Sequence, residues 1–430
     1  MLCCGLDIGS TNIKAVLADE TGRSLWVKSV ATPRKHDGIG IASDADELVR
    51  LLEAMIIEGW RAVASGKPLA AIAAAGIGED GVCADAALQP LGLVIPWFDK
   101  RAMREVEDFG RAFSLTRADF HTTAAKWMWM RQHRAGEIGP ARQWIALTDY
   151  ASSIWCGAPF MSETLAARTG CYDVFQRQWS AAALAYAKAP PLPRILKAGE
   201  IAGTVGDGPL RQSGAASAAT LIVAAGHDHP IASSAIQRLD RVARIDSIGT
   251  ANAIYGETRS LTPDLEGSNL EASVPALGGP GVALIGVTEF TVTLQEHFGS
   301  EANVRHLLGM PRLPGEPNPP DTDDQSRLRR VLEQMALRAR RYLAAMDKAG
   351  VPPGPIFATG GWARSTALME LRASVFSEAV TVVDEPELAG LGAALLAAEA
   401  ATGEAKGFRP VHGLHVVEPV SAWAQIYSKF

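Results

Sequence analysis

Apolar and polar positions form three short runs at the start of the chain. The runs cover residues 2–8, 13–19 and 24–30, and turn-forming residues separate them at 9–12 and 20–22. Short apolar runs bounded by Gly, Ser, Thr and Asn are typical of β-strands joined by hairpins. The pattern therefore predicts an antiparallel meander of three strands.

The pattern becomes helical after residue 43. Between residues 44 and 64 apolar side chains recur every three or four positions, and Asp44 and Glu47 have the spacing of an N-terminal capping box. An apolar run at residues 69–75 then predicts a further strand. Strands alternating with helices predict an α/β fold.

A second series of elements begins near the middle of the chain. An apolar run at residues 221–225 follows a turn-rich segment, so we place a domain boundary near residue 220. The predicted domains are residues 1–220 and 221–430, with the tail after about residue 407 packing back on the first domain. Residues 309–325 predict an exposed loop, and the amphipathic stretch at 326–348 predicts a surface helix.

Composition narrows the class of protein. The chain has 430 residues, 47% hydrophobic content, a net charge of −6 and a pI near 5.9, which is no basic footprint for nucleic acid or an anionic membrane. No apolar run approaches the roughly 18 residues of a membrane span. The five cysteines are scattered without a CxxC spacing, which favours a reducing compartment. We expect a cytoplasmic protein that acts on a small molecule, without nucleic-acid or membrane partners.

Two predicted turns contain residues that can bind phosphate. The first contains Asp7, Gly9, Ser10, Thr11 and Lys14, and the second contains Gly249 and Thr250. Backbone N–H groups and hydroxyls in such turns can hold a phosphate, while a carboxylate holds Mg²⁺, usually through water. An ordinary hairpin turn is the alternative for each one. The presence of one turn in each half favours a duplicated architecture that closes on a polyphosphate from both sides.

Residues 76–81 match the dinucleotide-binding pattern GxGxxG, with Asp99 following about twenty residues later. That fingerprint must open a helix, whereas residues 82–85 predict a short strand. An NAD-dependent enzyme is therefore the weaker alternative.

Asp228 follows the apolar run at 221–225, in a turn opened by Gly226. A carboxylate at the end of a buried strand is rigidly held and can still reach a substrate, as a general base must. The alternative is a helix cap, because Pro230 follows and a helix can start there. A metal site at His227, Asp228 and His229 is disfavoured, because neighbouring side chains point apart and no further ligand pair is evident.

Aromatic residues provide candidates for carbohydrate contacts. Trp97 ends an apolar run and is followed by Phe98, and an aromatic face can pack against the apolar face of a sugar. Trp127 and Trp129 lie in a Trp/Met stripe, which is more typical of core.

Taken in order, these motifs resemble those of the FGGY carbohydrate kinases over almost the whole chain. The matching segments are residues 7–11 with Lys14, residues 97–101, Asp149–Tyr150, residues 226–228, residues 247–250, Gly360–Gly361 and residues 391–394. The resemblance implies an α/β fold of two ribonuclease-H-like domains, the actin-like ATPase fold, with sugar and ATP meeting in the cleft between them. It also implies ATP and Mg²⁺ as cofactors and a small carbohydrate as substrate.

The resemblance also implies a role for each matching residue. Asp228 corresponds to the catalytic base, which takes a proton from the sugar hydroxyl that attacks the γ-phosphate. The remaining assignments are Asp7 for Mg²⁺, Gly9, Ser10, Thr11 and Lys14 for the first phosphate site, Gly249 and Thr250 for the second, Gly360, Gly361 and Ser365 for adenosine, and Glu79, Trp97 and His229 for the substrate.

Departures from the family pattern leave the substrate open. His229 stands where Asn or Gln is usual, and Trp362 replaces a small residue after the two glycines. A short polyol, a tetrulose, a pentulose and an acid sugar all remain candidates, and a homodimer is one option for the assembly. A non-catalytic sugar or nucleotide sensor on the same fold is the alternative function.

Overall fold

The computed structural model describes residues 1–64, 66–113, 122–309, 319, 322–405, 407–410 and 412–427. In chain order its strands are β1 Leu2–Ile8, β2 Asn12–Asp19, β3 Ser24–Ala31, β4 Lys35–His36, β5 Ile41–Ala42, β6 Ala71–Gly76, β7 Gly81–Ala84, β8 Gln143–Ala146, β9 Phe160–Ser162, β10 Tyr172–Asp173, β11 Gln178–Trp179, β12 Arg194–Leu196, β13 Ile201–Thr204, β14 Leu221–His227, β15 Arg244–Ile248, β16 Ala251–Thr258, β17 Glu271–Ser273, β18 Val282–Glu289, β19 Ile356–Thr359, β20 Val380–Val383 and β21 Leu414–Val417. Its α-helices are α1 Ala45–Val63, α2 Met103–Phe113, α3 Thr123–His133, α4 Ala135–Ile138, α5 Leu147–Cys156, α6 Glu163–Ala166, α7 Ala181–Tyr186, α8 Pro209–Gln212, α9 Asp228–Ile236, α10 Thr291–Phe298, α11 Glu301–Gly309, α12 Asp324–Lys348, α13 Thr366–Phe376, α14 Leu388–Thr402 and α15 Ser421–Tyr427, and a 3₁₀ turn spans Ala167–Thr169.

The chain forms two compact units. The first unit comprises Met1–Arg238, Ser273–Pro280 and Glu387–Phe408, and the second comprises Leu239–Ala272, Gly281–Pro386 and Arg409–Phe430.

A six-stranded sheet organises the first unit, in the order β13-β14-β6-β1-β2-β3. The strands β1, β2 and β3 form the predicted antiparallel meander, and β6 and β14 continue the sheet in parallel with β1. Because side chains alternate across a strand, the sheet has two apolar faces. One face packs on α1 and α5, and the other packs on α9 and α14.

A seven-stranded sheet organises the second unit, in the order β17-β18-β16-β15-β19-β20-β21. Here too a meander of β15, β16 and β18 is antiparallel, and β19 and β20 are parallel to β15. An antiparallel strand, β21, then borders β20, as β13 borders β14 in the first unit. The two sheets therefore share one strand pattern, as the two phosphate-type turns predicted.

The compact units divide the chain differently from the predicted boundary near residue 220. Strand β14 pairs in parallel with β6, and the helix α9 that follows packs on the same sheet, so Asp228 belongs to the first unit rather than to the second. The tail also differs from the prediction. Helix α14 packs on β1 in the first unit, whereas the described part of the tail after residue 408 joins the second unit, because β21 pairs with β20.

Three other sequence predictions concern local structure. Residues 81–84 form a strand and not a helix, which is the context that disfavoured a dinucleotide fingerprint at residues 76–81. Helix α12 matches the predicted surface helix, while most of the predicted loop at 309–325 lies outside the described residues. Among the described helices, none combines the length and apolarity that a membrane span requires.

Candidate functional site

The junction between β14 and α9 fixes the position of Asp228. Gly226 has φ +130°, and a Cβ atom there would overlap the hydroxyl oxygen of Thr164. The pairing of β14 with β6 shifts register between Ala224 and Gly226, and the Thr164 hydroxyl accepts a 2.9 Å hydrogen bond from the His227 N–H. Only glycine adopts this backbone without strain, so the bulge aims the following residues out of the strand.

Asp228 is the first residue of α9, and the residue in the N-cap position is His227. The Oδ1 atom of Asp228 accepts a 2.6 Å hydrogen bond from the His229 N–H and lies 3.3 Å from His227 Nε2. All hydrogen bonds and ion pairs that described residues make with this carboxylate involve Oδ1. The side chain is 34% exposed, and neither of these two contacts uses Oδ2. The carboxylate lies at the N-terminus of α9, where the helix carries a partial positive charge.

His227 is neutral beside this carboxylate. Burial lowers its pKa from 6.5 to about 3, although the charge of Asp228 opposes that shift. The ring of His229 lies edge-on to the ring of His227, with 5.6 Å between centroids. A neutral imidazole and a backbone N–H therefore flank Asp228, and the two histidines do not converge with it on a common point.

Asp7 is the penultimate residue of β1 and lies opposite Lys14 in the β1–β2 register. The Lys14 Nζ atom lies 3.7 Å from Asp7 Oδ2 and 2.8 Å from Glu387 Oε2, at the start of α14. Burial, and then the charge of Asp228, raises the pKa of Asp7 to about 7. Three carboxylates and one lysine therefore share this corner of the first unit, and sequence reasoning missed Glu387 because it is distant along the chain.

One oxygen atom of the Asp7 carboxylate has no hydrogen-bond partner among the described residues. This atom, Oδ1, is buried. No group of three His, Cys, Asp or Glu side chains within the described ranges could hold a metal directly. This donor set fits a Mg²⁺ ion, which keeps most of its water ligands and uses one or two carboxylates.

The first phosphate-type turn is anchored through its carbonyl groups. The Thr32 hydroxyl donates to Gly9 O at 2.7 Å, Arg34 donates to Ser10 O at 2.6 Å, and the Thr32 N–H donates to Thr11 O at 2.9 Å. In a trans peptide the N–H group points opposite to the preceding carbonyl. The anchoring therefore directs the N–H groups that follow these carbonyls away from Thr32 and Arg34.

Glu79 and its neighbour Asp80 each pair with a cation, and the Glu79 pair lies near His227. Arg168 contacts Glu79 Oε1 through two nitrogen atoms, each at 2.7 Å, and Gly78 packs between Arg168 and the His227 ring. Asp80, which sequence reasoning did not select, is fully buried and lies 3.7 Å from Lys126 Nζ. Burial raises the pKa of Asp80 to about 6, while Lys126 opposes the shift.

Trp97 is half-buried and packs edge-on against Phe98, with 5.7 Å between ring centroids. The Arg34 guanidinium lies 5.2 Å above the Phe98 ring, which connects the aromatic pair to the first turn. Asp99, by contrast, accepts two hydrogen bonds from the Arg101 guanidinium, at 2.7 and 2.8 Å, and one from the Arg101 backbone N–H at 2.9 Å, so its contacts are those of a structural residue.

The second unit contains the other candidates. Gly249 and Thr250 join β15 to β16, and Gly360 and Gly361 follow β19. Gly360 has φ +95°, and a Cβ atom there would clash with the Ile248 carbonyl, so the two turns lie side by side. Ser365 caps α13, since its hydroxyl oxygen accepts a 3.4 Å hydrogen bond from the Leu368 N–H.

Comparisons with known proteins agree with the fold and with the predicted family. The family profile for the N-terminal domain of the FGGY family of carbohydrate kinases matches residues 2–234, and the C-terminal profile matches residues 309–401. A protein named xylulose kinase from Streptomyces coelicolor is 24% identical over 445 residues, covering 94% of this chain and 89% of its own length.

Solved structures have the same fold. A xylulose kinase from Rhodospirillum rubrum superposes with a TM-score of 0.85 at 20% identity, covering 100% of this chain and 96% of its own. A gluconate kinase from Lactobacillus acidophilus superposes with a TM-score of 0.83 at 17% identity, covering 100% and 95%. The predicted family, its actin-like α/β fold class and its enzyme class are confirmed. The chain belongs to the FGGY family of carbohydrate kinases.

Proposed function

We propose that the chain transfers the γ-phosphoryl group of ATP to a hydroxyl group of a neutral sugar or polyol, with Asp228 as the general base. The observation that carries this proposal is the way in which Asp228 is held. Its Oδ1 atom is fixed by the His229 N–H beside a neutral His227, and its side chain is partly exposed, which leaves Oδ2 for the substrate. A carboxylate oriented through one oxygen is suited to accept a proton through the other.

In the proposed step, Asp228 Oδ2 accepts the proton of a substrate hydroxyl while that oxygen bonds to the γ-phosphorus. The bond between the γ-phosphorus and its bridging oxygen breaks, and ADP leaves with the electron pair. Positioning and charge neutralisation supply most of the catalysis of phosphoryl transfer. An aligned general base contributes a factor of about 10²–10⁴ in rate.

Asp7 and Lys14 supply the charges that the phosphates need. We assign Asp7 to a water-mediated contact with Mg²⁺, and the bound ion would supply positive charge to the phosphates. Lys14 is held between Asp7 and Glu387. We assign its ammonium group to the same phosphates. The N–H groups and hydroxyls of the turn formed by Gly9, Ser10 and Thr11 bind phosphate oxygens.

The turns of the second unit bind the nucleotide in this proposal. The Gly249–Thr250 turn contacts phosphates, and Gly360 and Gly361 leave room for adenosine to approach the backbone. Ser365 contributes by capping α13, because a well-formed helix N-terminus attracts anions.

Charge pairing around Glu79 favours a neutral substrate over an acid sugar. The relatives include proteins named xylulose kinase and one named gluconate kinase, so the names alone leave this choice open. In this chain Arg168 is engaged by Glu79, and Lys126 lies beside the buried Asp80. A substrate carboxylate would meet cations already committed to carboxylates. A neutral hydroxylated substrate can instead donate hydrogen bonds to Glu79, while Trp97 offers an apolar face.

ADP release over a panel of tetritols, pentitols, pentuloses, hexuloses and aldonates tests the substrate class. We expect turnover with at least one neutral compound and little with aldonates. Glu79→Gln removes the negative charge beside Arg168, and a charge-assisted hydrogen bond is worth roughly 1.5–3 kcal/mol, so aldonate turnover relative to neutral turnover should rise at least about tenfold.

The control for this substitution is Glu58→Gln, which makes the same change in the surface pair of Glu58 with Lys28 and should leave the ratio unchanged. Wild-type preference for an aldonate would contradict the neutral assignment. Tight binding of ligands without ADP release across the whole panel would instead support the sensor alternative.

A further inference from the structure

We infer that Thr291 and Trp362 are positioning residues for the nucleotide, because they tie the Gly249–Thr250 turn to the Gly360–Gly361 turn within the second unit. The inference rests on the proposed role of these turns in ATP binding. Neither Thr291 nor Trp362 needs to contact the nucleotide in order to act in this way.

Thr291 opens α10 directly below the Gly249–Thr250 turn. Its hydroxyl donates a 3.0 Å hydrogen bond to Gly249 O, and its N–H donates a 3.0 Å hydrogen bond to Thr250 O. The Phe290 N–H also points to Thr250 O, at 3.3 Å. Both carbonyl groups of the turn are therefore held by the first residues of one helix.

Trp362 connects the second turn to the same threonine. Its indole Nε1–H donates a 3.0 Å hydrogen bond to the Thr291 hydroxyl oxygen, and its backbone N–H donates to Ile248 O at 3.2 Å. The side chain is only 2% exposed, so the ring serves as a buried strut and is not available as a stacking surface. The Arg305 guanidinium covers one ring face at 4.3 Å from the centroid.

These contacts determine the direction in which the backbone N–H groups of the Gly249–Thr250 turn point. In a planar trans peptide the N–H of each residue points opposite to the preceding carbonyl. With Gly249 O and Thr250 O both bound to Thr291, the N–H groups of Thr250 and Ala251 are directed away from α10. Donors fixed before the ligand arrives bind an anion without an ordering cost.

The two hydrogen bonds of the Thr291 hydroxyl also have a defined direction of donation. The Thr291 hydroxyl has one proton, which it donates to Gly249 O, and it accepts from Trp362 through a lone pair. Since Trp362 can only donate, the direction of the chain is fixed from Trp362 through Thr291 to Gly249. This arrangement uses one of the residues at which the chain departs from the family pattern, since Trp362 stands in place of a small side chain.

Isosteric substitution separates this positioning role from simple packing. Thr291→Val keeps the shape but removes the hydroxyl, Trp362→Phe keeps a buried ring but removes the Nε1 donor, and Thr291→Ser restores the hydroxyl. We expect Thr291→Val and Trp362→Phe each to raise the KM for ATP about three- to tenfold, the worth of one net hydrogen bond, and Thr291→Ser to recover most of the loss. The KM for the sugar should change less than about twofold, because the contacts lie at the nucleotide turns.

Thr293→Val is the matched control. Thr293 lies on the same helix, and its hydroxyl donates only a local 3.4 Å hydrogen bond to Glu289 O. The binding of ADP and of a non-hydrolysable ATP analogue to each variant is measured by calorimetry, alongside the melting temperature. The affinity should fall in parallel with the rise in KM, in proteins that remain folded.

Two outcomes would overturn the inference. One is a KM for ATP in Thr291→Val that matches the KM in Thr293→Val, and the other is an equal rise in the KM for the sugar. If the wild-type protein bound no adenine nucleotide at all, the proposed function itself would fail. That result is distinct from nucleotide binding that is insensitive to Thr291 and Trp362.

Discussion

Burial gives Asp149 an acid–base behaviour that its type alone does not predict. Asp149 lies on α5 and is buried, and its carboxylate accepts hydrogen bonds from the Ser162 N–H at 2.6 Å and the Ser162 hydroxyl at 2.8 Å. Burial raises its pKa to about 7, although these two hydrogen bonds oppose the shift. Folding therefore makes this carboxyl group a weaker acid than it is in the unfolded chain.

The raised pKa of Asp149 predicts how its contribution to stability depends on pH. Between pH 4 and pH 7 the folded chain holds a proton on Asp149 that the unfolded chain has lost, so the contribution falls as pH rises through this window. Asp149→Asn removes that dependence. The quantity to measure by urea unfolding is the free energy of unfolding of Asp149→Asn minus that of the wild type. This difference should be larger at pH 8 than at pH 5 by an amount on the order of 2 kcal/mol. A difference that does not change with pH would contradict the assignment.

At the scale of elements, a buried polar cluster connects the β15–β16 hairpin to α13. Arg372 of α13 is fully buried, lies 3.4 Å from Asp246 Oδ2 and donates a 3.0 Å hydrogen bond to Asn252 Oδ1. Asn252 in turn donates to Asp246 Oδ1 at 2.6 Å. The hairpin that carries the Gly249–Thr250 turn is thus joined to the helix that follows the Gly360–Gly361 turn.

Removal of one partner of this buried pair should be costly, and removal of both charges much less so. Arg372→Met leaves the Asp246 charge buried without its cation, so we expect a loss of about 3–5 kcal/mol in the free energy of unfolding. Adding Asp246→Asn removes the remaining charge and should recover most of the loss. The measurement is denaturant unfolding of the two single variants and the double variant. Equal losses in Arg372→Met and the double variant would show that packing, and not charge, governs this contact.

Sequence patterns predicted the elements better than their partners. The meander of β1–β3 was predictable because its strands are consecutive and joined by short turns. The boundary near residue 220 missed the pairing of β14 with β6, because strands 150 positions apart leave no local signal of parallel pairing. Asp80 was missed for a similar reason, since its partner Lys126 reaches it only through the packing of α3.

At the scale of the whole molecule, the chain distributes the proposed chemistry over two units with one strand pattern. The first unit carries the carboxylates and lysine near Asp228, and the second carries the two turns proposed for the nucleotide. Asp228 opens a helix, and the phosphate-type turns follow strands, so a rigid framework holds their backbone donors and side chains. Asp228 is the residue on which the proposed reaction depends most.

The most direct test of that role is the turnover of Asp228→Asn with ATP and the best neutral substrate. Asparagine keeps the size of the side chain but cannot take the proton, so kcat should fall by about 10²–10⁴, with ATP affinity and melting temperature close to wild type. Asp207→Asn, at a carboxylate 92% exposed on the surface, is the control and should retain full activity. Undiminished kcat in folded Asp228→Asn would contradict the account.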